Sequence, residues 1–194
     1  LEDASDALIG IGASGSKMVD HLSDIVGTLP GKVDESVEYR EYTIIRVAGI
    51  VPRFEIYGLL EPMKKIWQAL DVHATPVGAE VWELLNIQAG IPVITAGTID
   101  AFVPQMANMH LINGVSFTKG CYPGQEIVAR MHYLGKLKRR TVLSAQQNPD
   151  GNYEALAVIQ VSDAENSRLI LGDVNGPDVT VLDLPYAFDD QGKT

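Results

Sequence analysis

Residues 119–130, with the sequence KGCYPGQEIVAR, hold the only cysteine of the chain. Cys121 lies two residues after Lys119 and just before a Pro-Gly pair, which predicts a turn. A helix is predicted to begin at Gly124. The positive charge of Lys119 and the free N–H groups of a helix N-terminus both favour a thiolate, the reactive form of cysteine. The spacing therefore predicts a reactive thiol, while the alternative for a lone cysteine is an inert packing residue.

A basic segment surrounds this cysteine in a chain that is acidic as a whole. The 194 residues carry a formal net charge of −10, yet residues 119–140 hold six Lys and Arg against one acid, a local charge of +5 that leaves −15 for the rest. Such an island favours an anionic ligand, whereas the acidic remainder argues against a protein whose whole surface lies on nucleic acid. For residues 136–140, KLKRR, a solvated strand edge is the alternative.

The composition is typical of a globular protein with a substantial core, with 46% hydrophobic and 21% charged residues. No apolar run is long enough to predict a membrane-spanning helix. One cysteine excludes an internal disulfide framework, fits a reducing compartment and is too few to hold an iron–sulfur cluster. The four histidines are scattered along the sequence, so we predict no metal site.

Helices and strands alternate through the part of the chain that leads to the cysteine. Helices are predicted over residues 16–29, 61–70, 78–89, 104–112 and 124–133, and strands over residues 7–12, 38–48 and 53–58. In the last of these strands, Phe54 and Ile56 are predicted to point inward and the charged residues outward. The helix at 61–70 is predicted to bury Met63, Ile66, Trp67 and Leu70, and the helix at 124–133 to bury Ile127, Val128 and Met131.

The pattern changes after Gly135, where strands separated by turn residues follow one another. The stretches 141–145, 155–161, 168–174 and 179–186 predict a small antiparallel β-barrel. The predicted fold class is therefore α+β, with an α+β region over residues 1–135 and a C-terminal barrel module over residues 136–194.

A second motif, GIGASG at residues 10–15, has the G-x-G-x-x-G spacing of dinucleotide-binding proteins. That interpretation needs a full strand before the glycines and an acid at the end of a second strand. Asp34 and Glu35 lie about 20 residues after the glycines, as the motif requires, but they precede the second predicted strand and do not end it. No further alternation of strands and helices follows. We therefore expect a tight turn between a strand and a helix.

The segment 119–130 resembles the signature K-G-C-Y-x-G-Q-E-x-x-A-R of the YgfZ-type folate-binding proteins, relatives of the glycine-cleavage T-protein, which is an aminomethyltransferase. Other stretches are similar to the same family: RFEIYG at 53–58, NIQAGIPVI at 86–94, FVPQMANMHLINGVSFTKGCY at 102–122 and LPY at 184–186. The resemblance extends over nearly the whole chain and is strongest at residues 119–130.

The resemblance implies a ring-like, GcvT/YgfZ-like α+β core that binds tetrahydrofolate, or a one-carbon-substituted derivative, in a central hole. A further N-terminal part of that core is expected ahead of residue 1. The family supports the assembly or repair of iron–sulfur enzymes, including enzymes that thiolate tRNA, and is not known to hold a cluster itself. The implied catalytic pair is Cys121 and Lys119; the implied folate-binding residues are Lys119, Tyr122, Gln125, Glu126, Arg130 and Gln88. Gln88 stands where the family has an acid, and a neutral amide cannot neutralise a cation.

We therefore expect a folate-binding accessory factor, more a non-enzymatic protein than an enzyme. One alternative is a folate-dependent aminomethyl or one-carbon transferase, which needs a carboxylate near N5 of the folate; the sequence offers no clear candidate. Another is an interaction module that no longer binds folate, for which Gln88 is the main argument. The expected partners are folate and iron–sulfur client enzymes, without direct contact to nucleic acid or membrane. We expect a monomer in the cytoplasm, or in the mitochondrial matrix of a eukaryote.

Overall fold

The computed structural model describes residues 3–148, 151–164, 168–173 and 175–188. In chain order its helices and strands are β1 (Ile9–Ser14), α1 (Met18–Val26), β2 (Ser36–Tyr39), β3 (Tyr42–Val47), β4 (Arg53–Gly58), α2 (Leu60–Leu70), α3 (Ala79–Gln88), α4 (Gln125–Leu134), β5 (Arg139–Asn148), β6 (Gly151–Gln160), β7 (Arg168–Ile170) and β8 (Asp178–Leu182). Backbone contacts divide the chain into two compact units, residues 1–83 and residues 84–194. The predicted boundary at residues 135 and 136 lies inside the second unit and stays a prediction.

The first unit is built on a four-stranded antiparallel sheet in the order β1-β4-β3-β2. Side chains from one face of this sheet and from α1 and α2 form a continuous core: Ala13, Met18, Leu22, Val26, Ile44, Phe54, Ile56, Met63, Ile66 and Leu70. Each large apolar side chain buried in this way contributes about 1.5–3 kcal/mol to stability. The prediction that Phe54 and Ile56 point inward is confirmed.

Two predictions for this unit are wrong in detail. The strand predicted over residues 38–48 is a hairpin of β2 and β3, because Arg40 adopts a left-handed conformation with φ of 54° that ends the extended backbone. Aromatic and β-branched residues occur on both sides of this turn, so the sequence pattern does not reveal it. On α2, Trp67 is 43% exposed and does not join the buried face formed by Met63, Ile66 and Leu70.

Most of the G-x-G-x-x-G sequence lies in β1, and only Gly15 lies in the turn that leads to α1, so the predicted tight turn covers only the end of the motif. Gly10 and Gly12 lie within β1, which pairs antiparallel with β4, so the segment has neither the parallel β-α-β unit nor the glycine turn of a dinucleotide site. A Cβ atom on Gly12 would stand 2.5 Å from the ring of Trp82. Glycine is therefore required here because it lets the indole ring lie directly against the strand.

Arg53 is buried beside the same indole ring, although the sequence pattern predicts that it points outward. Its side chain is 1% exposed, and the guanidinium lies 4.2 Å from the centroid of the Trp82 ring. The Nη1 group donates a hydrogen bond of 2.9 Å to the carbonyl of Ala48. Burial lowers the pKa of the guanidinium, while the nearby Glu55 carboxylate opposes that change. A partner distant in sequence thus decides the orientation of this charged side chain.

The second unit contains a four-stranded antiparallel sheet in the order β6-β5-β8-β7. The antiparallel strands predicted after Gly135 are therefore confirmed. In the described part of the chain the strand order ends at β6 on one side and β7 on the other, so a closed barrel stays a prediction. β5 is the strand that connects this sheet to the segment around α4, because it follows that helix after four residues.

The helix predicted over residues 104–112 is wrong, since this segment forms a succession of turns. Asn108 has a left-handed backbone with φ of 56°, which interrupts any helix. Its side chain is completely buried, and the turn conformation aims it at β5. Asn113, with φ of 59°, closes the segment as predicted.

Candidate functional site

Cys121 lies exposed in the turn that leads into α4. The turn is closed by Gln125, whose Oε1 accepts a hydrogen bond of 3.2 Å from the backbone N–H of Tyr122, and whose own N–H donates to the Tyr122 carbonyl at 3.2 Å. Gly124 follows with φ of 79°, a left-handed conformation that a side chain disfavours. The predicted turn and helix are confirmed, and Gln125 fixes the backbone next to the thiol.

The Lys119 ammonium lies on the ring of Tyr122, with Nζ 4.5 Å from the ring centroid. The backbone N–H of Lys119 donates a hydrogen bond of 3.1 Å to the hydroxyl of Ser116, which holds the start of the turn. Cation–π contact of this kind contributes about 0.5–1 kcal/mol at an exposed site. The lysine and the tyrosine therefore flank Cys121 as one unit. The effect of Lys119 on the ionisation of the thiol stays a prediction.

The N-terminus of α4 begins directly after this turn and has no side-chain cap. The first N–H groups of a helix lack acceptors within the helix and carry partial positive charge. Glu126, in the first turn of α4, is exposed, as is Arg130 one turn later. The motif residues from Lys119 to Arg130 are thus brought together on one turn and one helix.

The outer face of α4 is formed by Glu126, Ala129, Arg130, Tyr133 and Leu134, which line a shallow depression of about 420 Å³. The opposite side of the helix is anchored by Val128, which is 6% exposed. Ile127 is 62% exposed, so the prediction that it is buried is wrong. Much of the apolar surface of this helix therefore faces solvent.

An aromatic cluster lies at the C-terminal end of the same helix. The rings of Phe117 and His132 are stacked, with centroids 3.8 Å apart, and the Tyr133 ring meets His132 edge-on at 4.7 Å. Phe117 precedes the cysteine turn in sequence, so the cluster fixes both ends of the segment around Cys121. Such ring pairs contribute about 0.5–1.5 kcal/mol beyond the burial of their area.

A buried polar network, which the sequence interpretation did not include among the site residues, supports this region. Asn108 Nδ2 donates to the carbonyl of Thr141 at 2.8 Å and to the hydroxyl of Tyr186 at 3.3 Å. The Tyr186 hydroxyl donates in turn to the carbonyl of Gly90 at 3.0 Å. Burial raises the pKa of Tyr186, which keeps the phenol protonated and able to donate. The network thus joins the end of α3, the turn segment, β5 and the C-terminal LPY sequence.

Gln105 connects the turn segment directly to α4. Its side chain is 3% exposed, and its Nε2 donates to the carbonyl of Val128 at 2.6 Å. The only sequence signal for this contact is that polar residues stand between apolar ones in PQMANMH. The helical interpretation of this segment hides the signal, because it assigns these polar residues to an exposed face. Gln105 therefore holds α4, the helix on which Gln125, Glu126 and Arg130 lie, while Asn108 holds the strand β5 that follows it.

Gln88, the remaining predicted folate-binding residue, lies at the last position of α3 and is half-buried. Among the described residues, no hydrogen bond joins its side chain to the cysteine turn. It stands two residues before Gly90, which accepts from Tyr186, so the buried network reaches its vicinity. The structure thus gathers six of the seven predicted site residues and leaves Gln88 on a separate helix.

No helix in the described part of the chain is both long and apolar enough to cross a membrane. No group of three or more His, Cys, Asp or Glu side chains in the same ranges could hold a metal ion.

The fold and site define an α+β protein with an exposed cysteine in a lysine-flanked turn at the start of a helix. No model of a known protein family matches the chain. Curated proteins do match, and the three described here carry the name tRNA-modifying protein YgfZ. The protein from Colwellia psychrerythraea is 37% identical over 71% of this chain and 42% of its own length. Those from Pectobacterium atrosepticum and Yersinia pestis (strain Pestoides F) are 29% and 30% identical over 95% and 97% of the chain, and 65% and 66% of their own lengths.

The chain belongs to the YgfZ family. It spans between 42% and 66% of the length of these three relatives.

Proposed function

We propose that this protein is a tetrahydrofolate-binding accessory factor that supports iron–sulfur enzymes, including enzymes that thiolate tRNA. The names of the bacterial relatives motivate the link to tRNA modification. The observation that carries the proposal is the exposed thiol of Cys121, which lies in the turn that follows Lys119 and leads into α4. We place this role in the cytoplasm, where reducing conditions keep an exposed thiol free.

The thiol is the group through which the protein would act on a client. An exposed cysteine can act as a nucleophile or as a redox-active thiol, because reactants reach it directly. Gln125 holds the adjoining backbone through its two hydrogen bonds with Tyr122. These two bonds hold the backbone of the turn that presents Cys121.

The residues around the turn fit a folate ligand in their chemistry. Lys119, Arg130 and the uncapped start of α4 are suited to the anionic glutamate tail. The rings of Tyr122 and Tyr133 offer stacking surfaces for a flat heterocycle, and the amide of Gln88 can both donate to and accept from a pteridine ring. When bound, a reduced folate supplies a carrier for one-carbon groups. Because Gln88 replaces an acid, we expect weaker binding than an acid at this position would give.

Replacement of Cys121 by alanine tests the functional part of this proposal. In cells that depend on this protein, we expect the content of thiolated nucleosides in tRNA, measured by mass spectrometry, to fall to the level of cells without the protein. The matched control is Thr118→Ala, an exposed position three residues upstream, which should restore the content fully. Full restoration by Cys121→Ala would contradict the proposal.

A further inference from the structure

The C-terminal end of α3 is closed by a compact backbone cap. The N–H of Ile91 donates to the carbonyl of Asn86 at 2.9 Å, and the N–H of Gly90 donates to the carbonyl of Ile87 at 2.9 Å. Gly90 is left-handed, with φ of 68°, so the two bonds form a Schellman motif. Gln88 is the last residue of α3 and lies inside this motif. The cap therefore sets the position of the backbone from which the Gln88 side chain extends.

The LPY sequence at residues 184–186 packs on this cap from a distant part of the chain. A Cβ atom on residue 90 would stand 2.5 Å from the ring of Tyr186 and 3.0 Å from the Cδ2 atom of Leu184, so both side chains lie directly against the backbone of Gly90. The Tyr186 hydroxyl donates a hydrogen bond of 3.0 Å to the Gly90 carbonyl. The same tyrosine thus holds the helix end through its ring and through its hydroxyl.

Tyr186 is itself held by Asn108, which is completely buried. Nδ2 of Asn108 donates to the Tyr186 hydroxyl at 3.3 Å and to the carbonyl of Thr141 on β5 at 2.8 Å. Because the phenol oxygen accepts from Asn108, its own proton is directed to the Gly90 carbonyl. A chain of hydrogen bonds therefore runs from β5 through Asn108 and Tyr186 to the end of α3.

We propose that Tyr186 is a positioning residue for folate recognition, which holds the end of α3 so that the amide of Gln88 meets the pteridine ring in a fixed orientation. The proposal rests on the proposed function, in which Gln88 binds that ring, and adds to it the residue that orients Gln88. Tyr186 itself does not touch the ligand in this account.

An amide at position 88 depends on a fixed orientation more than an acid would. A carboxylate has two equivalent oxygens, so it accepts hydrogen bonds equally well after half a turn about its last bond. The amide of Gln88 has one oxygen and one NH₂ group, and the same half turn exchanges an acceptor for a donor. A rigid helix end therefore matters for the hydrogen bonds that Gln88 would make to a flat heterocycle.

The first measurement is a double-mutant cycle on the affinity of the whole chain for tetrahydrofolate, by isothermal calorimetry. We expect Gln88→Ala to weaken binding about tenfold, the effect of losing one neutral hydrogen bond. Tyr186→Phe keeps the ring on Gly90 and removes only the hydroxyl, and it should weaken binding about threefold. If Tyr186 acts through Gln88, the double variant should bind about tenfold more weakly than the wild type, whereas independent effects would give about thirtyfold.

Tyr153→Phe is the matched control, because Tyr153 is 59% exposed on β6, and its affinity should equal that of the wild type. Urea denaturation checks that each variant is folded under the conditions of the calorimetry. A purely structural role of Tyr186 would lower stability and leave folate affinity unchanged. An unchanged affinity in Tyr186→Phe, or independent losses in the double variant, would overturn the proposal.

The second measurement needs no ligand. In NMR spectra of the isotope-labelled whole chain, the side-chain amide signals of Gln88 are those missing from Gln88→Ala. They should shift or broaden in Tyr186→Phe, because the helix end loses a hydrogen bond that holds it. The signals of Gln68, which is exposed on α2 in the first compact unit, should stay unchanged. Gln88 signals that do not respond to Tyr186→Phe would also show the proposal to be wrong.

The two measurements separate the positioning role from the proposed function. If the wild type binds no tetrahydrofolate while the Gln88 signals respond to Tyr186→Phe, Tyr186 still orients Gln88 and the folate-binding function is wrong. If the wild type binds tetrahydrofolate while neither its affinity nor the Gln88 signals respond to Tyr186→Phe, the positioning role is wrong and the folate-binding function stands.

Discussion

Replacing Asn108 with alanine removes a completely buried side chain on which two hydrogen bonds depend. Loss of the bonds to the Thr141 carbonyl and the Tyr186 hydroxyl costs about 0.5–1.5 kcal/mol each. The left-handed backbone, with φ of 56°, adds about 1–2 kcal/mol for alanine, which lacks the local hydrogen bonding that lets asparagine adopt it. We therefore expect the variant to lose about 3 kcal/mol of unfolding free energy.

Urea denaturation followed by circular dichroism measures this loss. A decrease of about 3 kcal/mol corresponds to a thermal midpoint roughly 10 °C lower for a chain of this size. The matched control is Asn152→Ala, because Asn152 is exposed on β6, and such a surface substitution changes stability by about 0.5 kcal/mol or less. Equal stability of the two variants would refute the conclusion that the Asn108 network holds the second unit together.

Three further predictions follow from individual contacts. Gly12→Ala should destabilise the protein by about 1–3 kcal/mol in urea denaturation, because the new methyl group would overlap the Trp82 ring. Lys119→Met should slow the alkylation of Cys121 by iodoacetamide at neutral pH about threefold, as expected for loss of one exposed positive charge nearby. Burial and the hydrogen bond to a carboxylate raise the pKa of Tyr57 to about 12; the folded state therefore holds the phenol proton more tightly than the unfolded state, and the free energy of unfolding should fall as pH rises from about 10 to 12.

Each of these predictions has a control and a contradicting result. Gly97→Ala adds a methyl group where no atom lies within 4 Å, and should leave stability unchanged; a loss equal to that of Gly12→Ala would contradict the packing argument. In Lys136→Met, Cys121 should be alkylated at the wild-type rate. If Cys121 were also alkylated at that rate in Lys119→Met, Lys119 would serve only to bind folate. In Tyr57→Phe the decrease in stability above pH 10 should be smaller; an unchanged pH profile would exclude Tyr57 as its source.

The sequence predicts those parts of the fold whose buried residues repeat with a regular period. The helices α1 and α2 and the strand β4 are recognisable in this way because one face of each packs on neighbours. The hairpin turn at Arg40 and the turn at Asn108 are not, since a single left-handed residue breaks the element while the apolar pattern continues. The burial of Arg53 depends on Trp82, and no local pattern encodes that contact.

The candidate site also has one part that the sequence predicts and one part that it does not. The turn and helix around Cys121 follow from glycine, proline and helical periodicity within one short segment, and the structure confirms them. The support from Gln105 and Asn108 could not be predicted, because it depends on hydrogen bonds to Val128 and Thr141, which are distant in sequence. Polar residues that interrupt an apolar segment are the sequence feature that indicates buried hydrogen bonds of this kind.

Titration of the whole chain with tetrahydrofolate by isothermal calorimetry tests the central claim most directly. The proposed function predicts saturable binding at one site, tighter for a polyglutamylated folate and weaker as salt rises, because the anionic tail meets the basic island. Lys119→Met should weaken binding, while Lys64→Met, whose ammonium pairs with Glu61 on α2, should not. The account would be contradicted if neither tetrahydrofolate nor its polyglutamylated form gave any heat of binding at millimolar concentration.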